Sequence, residues 1–285
     1  MSSGPSGAAL EGPEPLVSTA WLADHLDHPD LRIVDCRWYL RPFDERCGDD
    51  EYRAGHLPGA VHLRWDAELA DPDRPASMLA SPERFAAAME AVGIGDDHYV
   101  VTYDDHHVPV AARVWWALRV YGHDAVAVLD GGITKWRREG RAIETGAPMP
   151  SPARFTPRAR AELYADRTDV MAVVAGDRVA TLVDARMDVA YDAASGHIPG
   201  SARLTGLGFL ADGETWMAAD RARARIVGAG VAPTARRPVI AYCGGGVAAT
   251  GTALGYRLAG FGDVAVYDGS WTEWEADPDT PKERH

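Results

Sequence analysis

A chain of 285 residues with 46% hydrophobic and 8% aromatic side chains has room for two globular domains of about 130 residues, each with its own core. Its formal net charge of −13 argues against nucleic acid or an anionic membrane as a partner, while leaving room for a small anionic substrate in a local basic pocket. Three cysteines, Cys36, Cys47 and Cys243, are too few for a disulfide framework and fit a reducing cytoplasm; no apolar run approaches the roughly 18 residues of a membrane span.

In chain order, residues 1–14 are rich in Gly, Ser and Pro and lack the basic and apolar regions of a signal peptide, so a disordered lead-in is expected. An apolar strand is predicted at 31–36 and a helix at 82–92, with Ser81 as its cap. A strand at 99–103, a helix at 108–121 and a strand at 125–129 follow. Residues 146–160, with Pro148, Pro150, Pro152 and Pro157, form neither a regular helix nor a central strand and read as a linker. Beyond it come a strand at 180–184, a helix at 218–228, a strand at 239–242, a helix at 247–258 and a strand at 264–267. Strands alternating with helices imply an α/β fold built of βαβ units around mainly parallel sheets.

The chain also repeats itself. Gly55-His56-Leu57-Pro58-Gly59-Ala60 recurs as Gly196-His197-Ile198-Pro199-Gly200-Ser201, and Val34-Asp35-Cys36-Arg37 as Val183-Asp184-Ala185-Arg186. Leu129-Asp130-Gly131-Gly132 with Trp136 is matched by Tyr267-Asp268-Gly269-Ser270 with Trp274. Matches in the same order at a nearly constant offset of about 140 residues mark a duplicated domain, expected over 15–145 and 161–285.

One position separates the copies chemically. In Pro-Val-Ile-Ala-Tyr-Cys-Gly-Gly-Gly-Val (238–247) an apolar strand delivers Cys243 into three glycines at the start of a helix. Glycines let successive N–H groups turn inward and the helix start adds partial positive charge, so a thiol there should lose its proton easily. A lone buried cysteine is by default structural; the glycine loop and helix start favour a nucleophile. The first copy carries Asp104-Asp105-His106-His107-Val108 instead, with neither cysteine nor glycines.

These residues resemble the rhodanese superfamily, in particular the two-domain thiosulfate and 3-mercaptopyruvate sulfurtransferases. The resemblance runs from Leu16 to Trp274 and adds Ala111-Ala112-Arg113-Val114-Trp115-Trp116 and Tyr267-Asp268-Gly269-Ser270-Trp271 to the motifs above. It implies tandem rhodanese-like domains, the first catalytically silent, and a loop of Cys243, Gly244, Gly245, Gly246, Val247 and Ala248 that binds substrate. It implies that Cys243 takes a sulfur from a small anionic donor as a persulfide and passes it to a thiol, a cyanide-like acceptor or an acceptor protein. Neither metal nor cofactor is implied, and the expected location is the cytoplasm. A delivery or regulatory module that receives persulfide from a protein partner is the alternative. The dual-specificity phosphatase pattern Cys-x5-Arg is excluded, because Ala249 stands where phosphate transfer needs an arginine.

The uncharged loop is nearer the mercaptopyruvate type, yet Gly245 and Ala248 replace its serine and threonine, and Ala190 stands where that type has a second arginine. Arg186 matches the arginine that grips the donor's carboxylate or sulfonate; a structural pair with Asp184 is the competing reading. His56 matches a relay histidine, but its recurrence as His197 favours a turn role. Arg37, Trp38, Tyr39 and Arg41 could close over the cleft. His106 and His107 read as interface groups, Trp115 and Trp116 as core, and Trp271 and Trp274 as core or pocket wall.

Overall fold

The computed structural model describes residues 10–41, 44–74, 78–105, 108–146, 148, 150–194 and 196–284. His106 and His107 lie outside them, as do residues 1–9 of the expected lead-in. Residues 10–14 are held rather than loose. Tyr99 Oη donates to the Pro13 carbonyl (2.7 Å), and Glu14 pairs with Arg257 (2.6 Å).

Two five-stranded sheets carry the fold. The first comprises β1 (Leu16–Val17), β2 (Leu31–Asp35), β3 (Val61–His62), β4 (Tyr99–Tyr103) and β5 (Val126–Leu129), in the order β1-β5-β4-β2-β3. The second comprises β6 (Tyr164–Ala165), β7 (Thr181–Asp184), β8 (Ala202–Arg203), β9 (Val239–Tyr242) and β10 (Ala265–Tyr267), in the order β6-β10-β9-β7-β8. Every pairing is parallel, and the two orders are one topology used twice. The central strands, Tyr-Val-Val-Thr-Tyr and Val-Ile-Ala-Tyr, are buried throughout, as β-branched and aromatic runs covered on both faces should be.

The halves meet through helices Val110–Val120 and Val247–Leu258, and one hydrophobic cluster runs across both, from Val34 through Trp115, Trp116 and Leu254 to Val266. Small residues allow the close approach: a Cβ on Gly251 would lie 3.1 Å from Pro109 Cγ. Trp115 and Trp116 are core, 2% exposed each. Polar groups fix the register. Arg113 of the first half meets Asp268 of the second at 2.5 Å, with both side chains almost fully buried. Arg119 grips Asp263 through both terminal nitrogens (2.7 and 2.9 Å). The Leu79 N–H donates to Asp268 Oδ2 (2.6 Å), and the Trp216 N–H to Asp130 Oδ1 (2.8 Å), so each half's Asp-Gly turn is bound by the other's backbone.

The proline-rich stretch lies on the first half. Phe155 is buried against Phe85, and the N–H groups of Thr156 and Arg158 donate to Asp96 Oδ1 (2.8 Å) and the Tyr121 carbonyl (2.9 Å).

Candidate active site

Cys243 stands at the carboxyl end of β9, the central strand of the second sheet, where α/β sheets bind ligands. The residue is 3% exposed. The Cys243 N–H donates to Ser270 Oγ (3.0 Å), the Cys243 carbonyl accepts from the Trp271 N–H (2.9 Å), and the Gly244 carbonyl accepts from the Thr272 N–H (3.0 Å) and Thr272 Oγ1 (2.8 Å). In a trans peptide the N–H points opposite the preceding carbonyl. Both carbonyls are drawn towards the Ser270–Ala276 helix, so the N–H groups of Gly244 and Gly245 turn away from it. Gly246 then takes a left-handed conformation (φ 81°) and starts the Val247–Leu258 helix. Among the described residues, the N–H groups of Gly244, Gly245, Gly246, Val247 and Ala248 meet no protein acceptor. A loop with five N–H groups free of protein acceptors, leading into a helix N-terminus, is suited to hold an anion beside Cys243.

The first half fills the matching place itself. Asp104 follows β4 as Cys243 follows β9, and its carbonyl accepts from the Ile133 N–H (3.0 Å) as that of Cys243 does from Trp271. Asp104 Oδ2 accepts from the Ala111 N–H (2.8 Å) at the start of the Val110–Val120 helix. A built-in carboxylate thus occupies the helix N-terminus where the second half presents a thiol.

Above Cys243 lies a cleft of about 300 Å³ between the halves. The second half gives it Cys243, Gly244, Gly245, Val247 and Ala248, with Arg186, Met187 and Ala190 at the side; Gly246 supports the loop from behind. The first half gives the opposite wall, Trp38, Leu40, Trp65, Asp66 and Val108. Trp38 and Trp65 meet edge to face (5.5 Å, 73°), and Trp38 Nε1 donates to the exposed Asp66 carboxylate (2.8 Å).

Arg186 pairs with Asp184 and also lines the cleft. Its Nε and Nη2 donate to Asp184 (3.0 and 2.6 Å), Nη2 also to the Gly196 carbonyl (3.0 Å), and its guanidinium lies against the rings of Tyr191 (4.9 Å) and Trp271 (4.8 Å). Burial works against the charge, but the hydrogen bonds and charge of Asp184 outweigh it and raise the pKa. Nη1 is buried without an acceptor among the described residues. Tyr242 Oη completes the cluster by donating to Asp184 Oδ2 (2.7 Å), and burial pushes that phenol's pKa up.

Arg37 and His56 lie elsewhere. Arg37 repeats the arrangement in the first half, bound to Asp35 (2.6 Å) and the Gly55 carbonyl (2.9 Å), with Glu51 3.7 Å from its Nη1. It faces a separate cavity that Tyr39 and Arg41 also line, so of Arg37, Trp38, Tyr39 and Arg41, expected to close over the cleft, Trp38 does line it, beside Leu40, which the sequence reading did not include. His56 is buried, stacked on Tyr52 (4.0 Å), and its Nδ1–H donates to the Tyr52 carbonyl (2.8 Å): a turn histidine. Trp274 is core, and Trp271 covers the Arg186 guanidinium. Cys36 directly follows β2, where burial, with Asp104 and Asp35 close by, raises its thiol pKa well above the usual value. Leu40, Trp65, Asp66, Val108 and Met187 were not legible as cleft residues in the sequence: they lie far apart in the chain, and only the packing of the halves assembles them.

Residues 18–139 and 166–277 each match the family described as Rhodanese-like domain, and the chain belongs to this family. It is 33% identical over 277 residues to the 3-mercaptopyruvate sulfurtransferase of Escherichia coli K12, covering 94% of this chain and 97% of the relative. It is 36% identical over 284 residues to the thiosulfate sulfurtransferase of Bos taurus, covering 93% of this chain and 94% of that one. The crystal structure of SseA from Escherichia coli, a 3-mercaptopyruvate sulfotransferase, superposes with a TM-score of 0.81 at 32% identity, over 90% of this chain and 98% of that one. No helix among the described residues is long and apolar enough to cross a membrane.

Proposed function

We propose that the protein is a sulfurtransferase in which Cys243 carries sulfur as a persulfide from a small anionic donor to a thiophilic acceptor. The observation that carries this reading is the loop: one thiol at a strand end, heading a loop whose five following N–H groups meet no protein acceptor among the described residues. The Cys243 thiolate attacks the outer sulfur of the donor. A sulfur–sulfur bond forms, and the donor's bond to that sulfur breaks with its electron pair leaving on sulfite (from thiosulfate) or on the enolate of pyruvate (from 3-mercaptopyruvate), which takes up the donor's thiol proton. The loop amides stabilise the terminal sulfur anion. Arg186 Nη1 orients the donor's carboxylate or sulfonate. A thiol, a cyanide-like nucleophile or an acceptor protein then attacks the outer sulfur and releases the Cys243 thiolate.

With Gly245 and Ala248 in the loop, no hydroxyl relay runs through these positions. Catalysis belongs to 161–285; domain 15–145 is catalytically silent but walls the cleft, and 146–160 links the two. All three cysteines are free, which suits a reducing cytoplasm.

The test is to incubate the reduced protein separately with thiosulfate and with 3-mercaptopyruvate and to take intact and peptide masses. One extra sulfur atom on the Cys243 peptide, absent from a folded Cys243→Ser variant, is the expected result. No gain from either donor, or sulfur transfer surviving in Cys243→Ser, overturns the reading.

A further inference from the structure

We propose that the separate cavity in the first half is an effector site for a small oxyanion of the phosphate class, felt at Cys243 through the wall it shares with the cleft. Three observations carry this: the charge of its lining, one buried nitrogen without an acceptor, and the shared wall. The binding claim stands apart from the sulfurtransferase reading; the effector role rests on it.

The two cavities differ in charge. Among the described lining residues the Cys243 cleft has one cation and one carboxylate, Arg186 and Asp66. The first-half cavity, about 340 Å³, has four arginines, Arg37, Arg41, Arg46 and Arg64, against Asp49 and Asp66. Its volume is that of roughly eleven waters at ~30 Å³ each, room for a phosphate group with a small organic body. Arg46 is already answered by Asp44 (2.7 Å) and Asp105 (3.1 Å), which leaves Arg37, Arg41 and Arg64 to a ligand. Arg41 and Arg64 pair with Glu45 and Glu68, and their side chains are 60% and 52% exposed. Pairs so exposed contribute little, so both guanidiniums exchange a carboxylate for a ligand at small cost. Of the two aspartates, Asp49 lies 4.0 Å from Arg53 and Asp66 accepts from Trp38 Nε1.

Arg37 supplies the buried anchor. It is 2% exposed, and its Nε and Nη2 are taken by Asp35 and the Gly55 carbonyl, as those of Arg186 are by Asp184 and the Gly196 carbonyl. Its Nη1 has no hydrogen-bond acceptor among the described residues, and the Glu51 carboxylate, 3.7 Å from it, is outside hydrogen-bond reach. A buried guanidinium N–H left unanswered favours an acceptor that arrives with negative charge. The duplicated Asp-x-Arg pair thus leaves the same nitrogen unfilled in each half, beside the Cys243 cleft in one and beside an arginine-lined cavity in the other.

Trp38 and Asp66 line both cavities and are joined by a hydrogen bond (2.8 Å), so they form the partition. Arg64 precedes the Trp65–Glu68 turn and donates to Glu68 through its backbone N–H (2.9 Å) and its guanidinium (3.4 Å). An oxyanion that draws the guanidinium away from Glu68 acts on the turn that carries Trp65 and Asp66 into the cleft. It also adds negative charge beside Asp66, which disfavours an anionic donor on the other side of the partition.

Cys47 is an exposed thiol on the cavity lining, so its reactivity reports occupancy. The intact protein is alkylated with iodoacetamide in inorganic phosphate, phenyl phosphate or chloride of equal ionic strength, and the Cys47 and Cys243 peptides are followed by mass. The expected result is several-fold slower labelling of Cys47, saturating with the phosphate ligands and absent in chloride; the more effective of the two tells a free ion from an ester. Arg41→Gln and Arg64→Gln, each verified as folded by its urea midpoint, raise the half-saturating concentration several-fold. At saturation the rate at which thiosulfate loads Cys243 falls several-fold to a plateau, whereas a ligand competing in the cleft drives it towards zero. Cys47 protected by neither ligand, or equally well in both variants, overturns the site. Protection of Cys243 in place of Cys47 puts the anion in the cleft, which overturns the site and leaves the sulfurtransferase reading standing. Protection of Cys47 with unchanged loading of Cys243 overturns the effector role. If no donor loads Cys243, the effector role falls with the sulfurtransferase reading, and the Cys47 labelling still decides the site.

Discussion

Replacing Gly246 by alanine tests the loop geometry, with Gly244→Ala as its internal control. Gly246 has φ 81°, a left-handed conformation that costs a residue with a Cβ about 1–2 kcal/mol. The added Cβ would also lie 2.8 Å from both the carbonyl oxygen and Oδ1 of Asp268, and 3.2 Å from Arg113 Nη1. Those atoms cannot give way cheaply, because the Asp268 carboxylate is held by Arg113 (2.5 Å) and by the Leu79 N–H (2.6 Å) inside the interface. Overpacking of this kind costs about 1–3 kcal/mol, so the substitution should destabilise the protein by about 2–5 kcal/mol. At Gly244 a Cβ meets nothing within 4 Å, and φ lies outside the left-handed region; alanine there should cost under about 1 kcal/mol. Urea unfolding of both variants, followed by Trp fluorescence, measures the difference, and the rate of Cys243 persulfide formation reports whether the loop still presents its amides. Equal stabilities for the two variants would refute the claim that the loop is held by a left-handed Gly246 wedged against Asp268.

Arg113→Met should destabilise by about 3–5 kcal/mol, because it leaves the fully buried Asp268 carboxylate with its cation removed; Arg113→Lys should recover part of this in the same urea titration. His123 gives a pH signature. Burial lowers its pKa, with hydrogen bonds to the His98 and Ala125 backbone and the charge of Asp96 opposing the shift, and its Nε2 lacks a partner among the described residues. The folded state therefore binds the proton less readily than the unfolded chain, so this contribution is intact above the ordinary histidine value of 6.5 and is lost as pH falls from there towards the folded pKa. Replacing His123 with Phe should flatten the fall in urea midpoint between about pH 7.5 and pH 5, and an unchanged slope would show that His123 is not its source. Ala190→Arg should lower KM for thiosulfate several-fold, since Ala190 is exposed at the cleft edge and a second guanidinium there offsets the dianion's excess charge; initial-rate kinetics would expose a failure.

The sequence carried the elements near the chemistry well. Tyr99–Tyr103, Val239–Tyr242 and Val247–Leu258 stand at the bounds read from their residues, because buried apolar runs end at abrupt changes of residue type. The Val110–Val120 helix starts two residues later than expected, with Pro109 as its N-cap. The two-residue strands β1 and β6 are too short to show a period. Duplication exposed the Asp-x-Arg pairs and the turn histidines, since a feature present in both halves belongs first to the scaffold. It hid what each half does for the other: nothing local to Arg113 announces Asp268, 155 residues away.

Asp104 shows how the first copy can stay folded without a thiol at this position. A helix N-terminus at the end of a buried strand presents donors that water cannot fully satisfy, and something negative must answer them. In the first half Asp104 answers through the Ala111 N–H, permanently, and its carboxylate is 2% exposed with the rest of the residue. In the second half the corresponding donors are left for the Cys243 sulfur and whatever it carries. The same fold thus yields a closed site or a working one according to whether the anion belongs to the chain or arrives with the substrate. With its own loop closed, the first half contributes surface: Trp38, Leu40, Trp65 and Val108 face the partner's thiol. On the proposed reading, donor specificity can therefore change through these first-half wall residues while the sulfur chemistry stays with Cys243 in the second half.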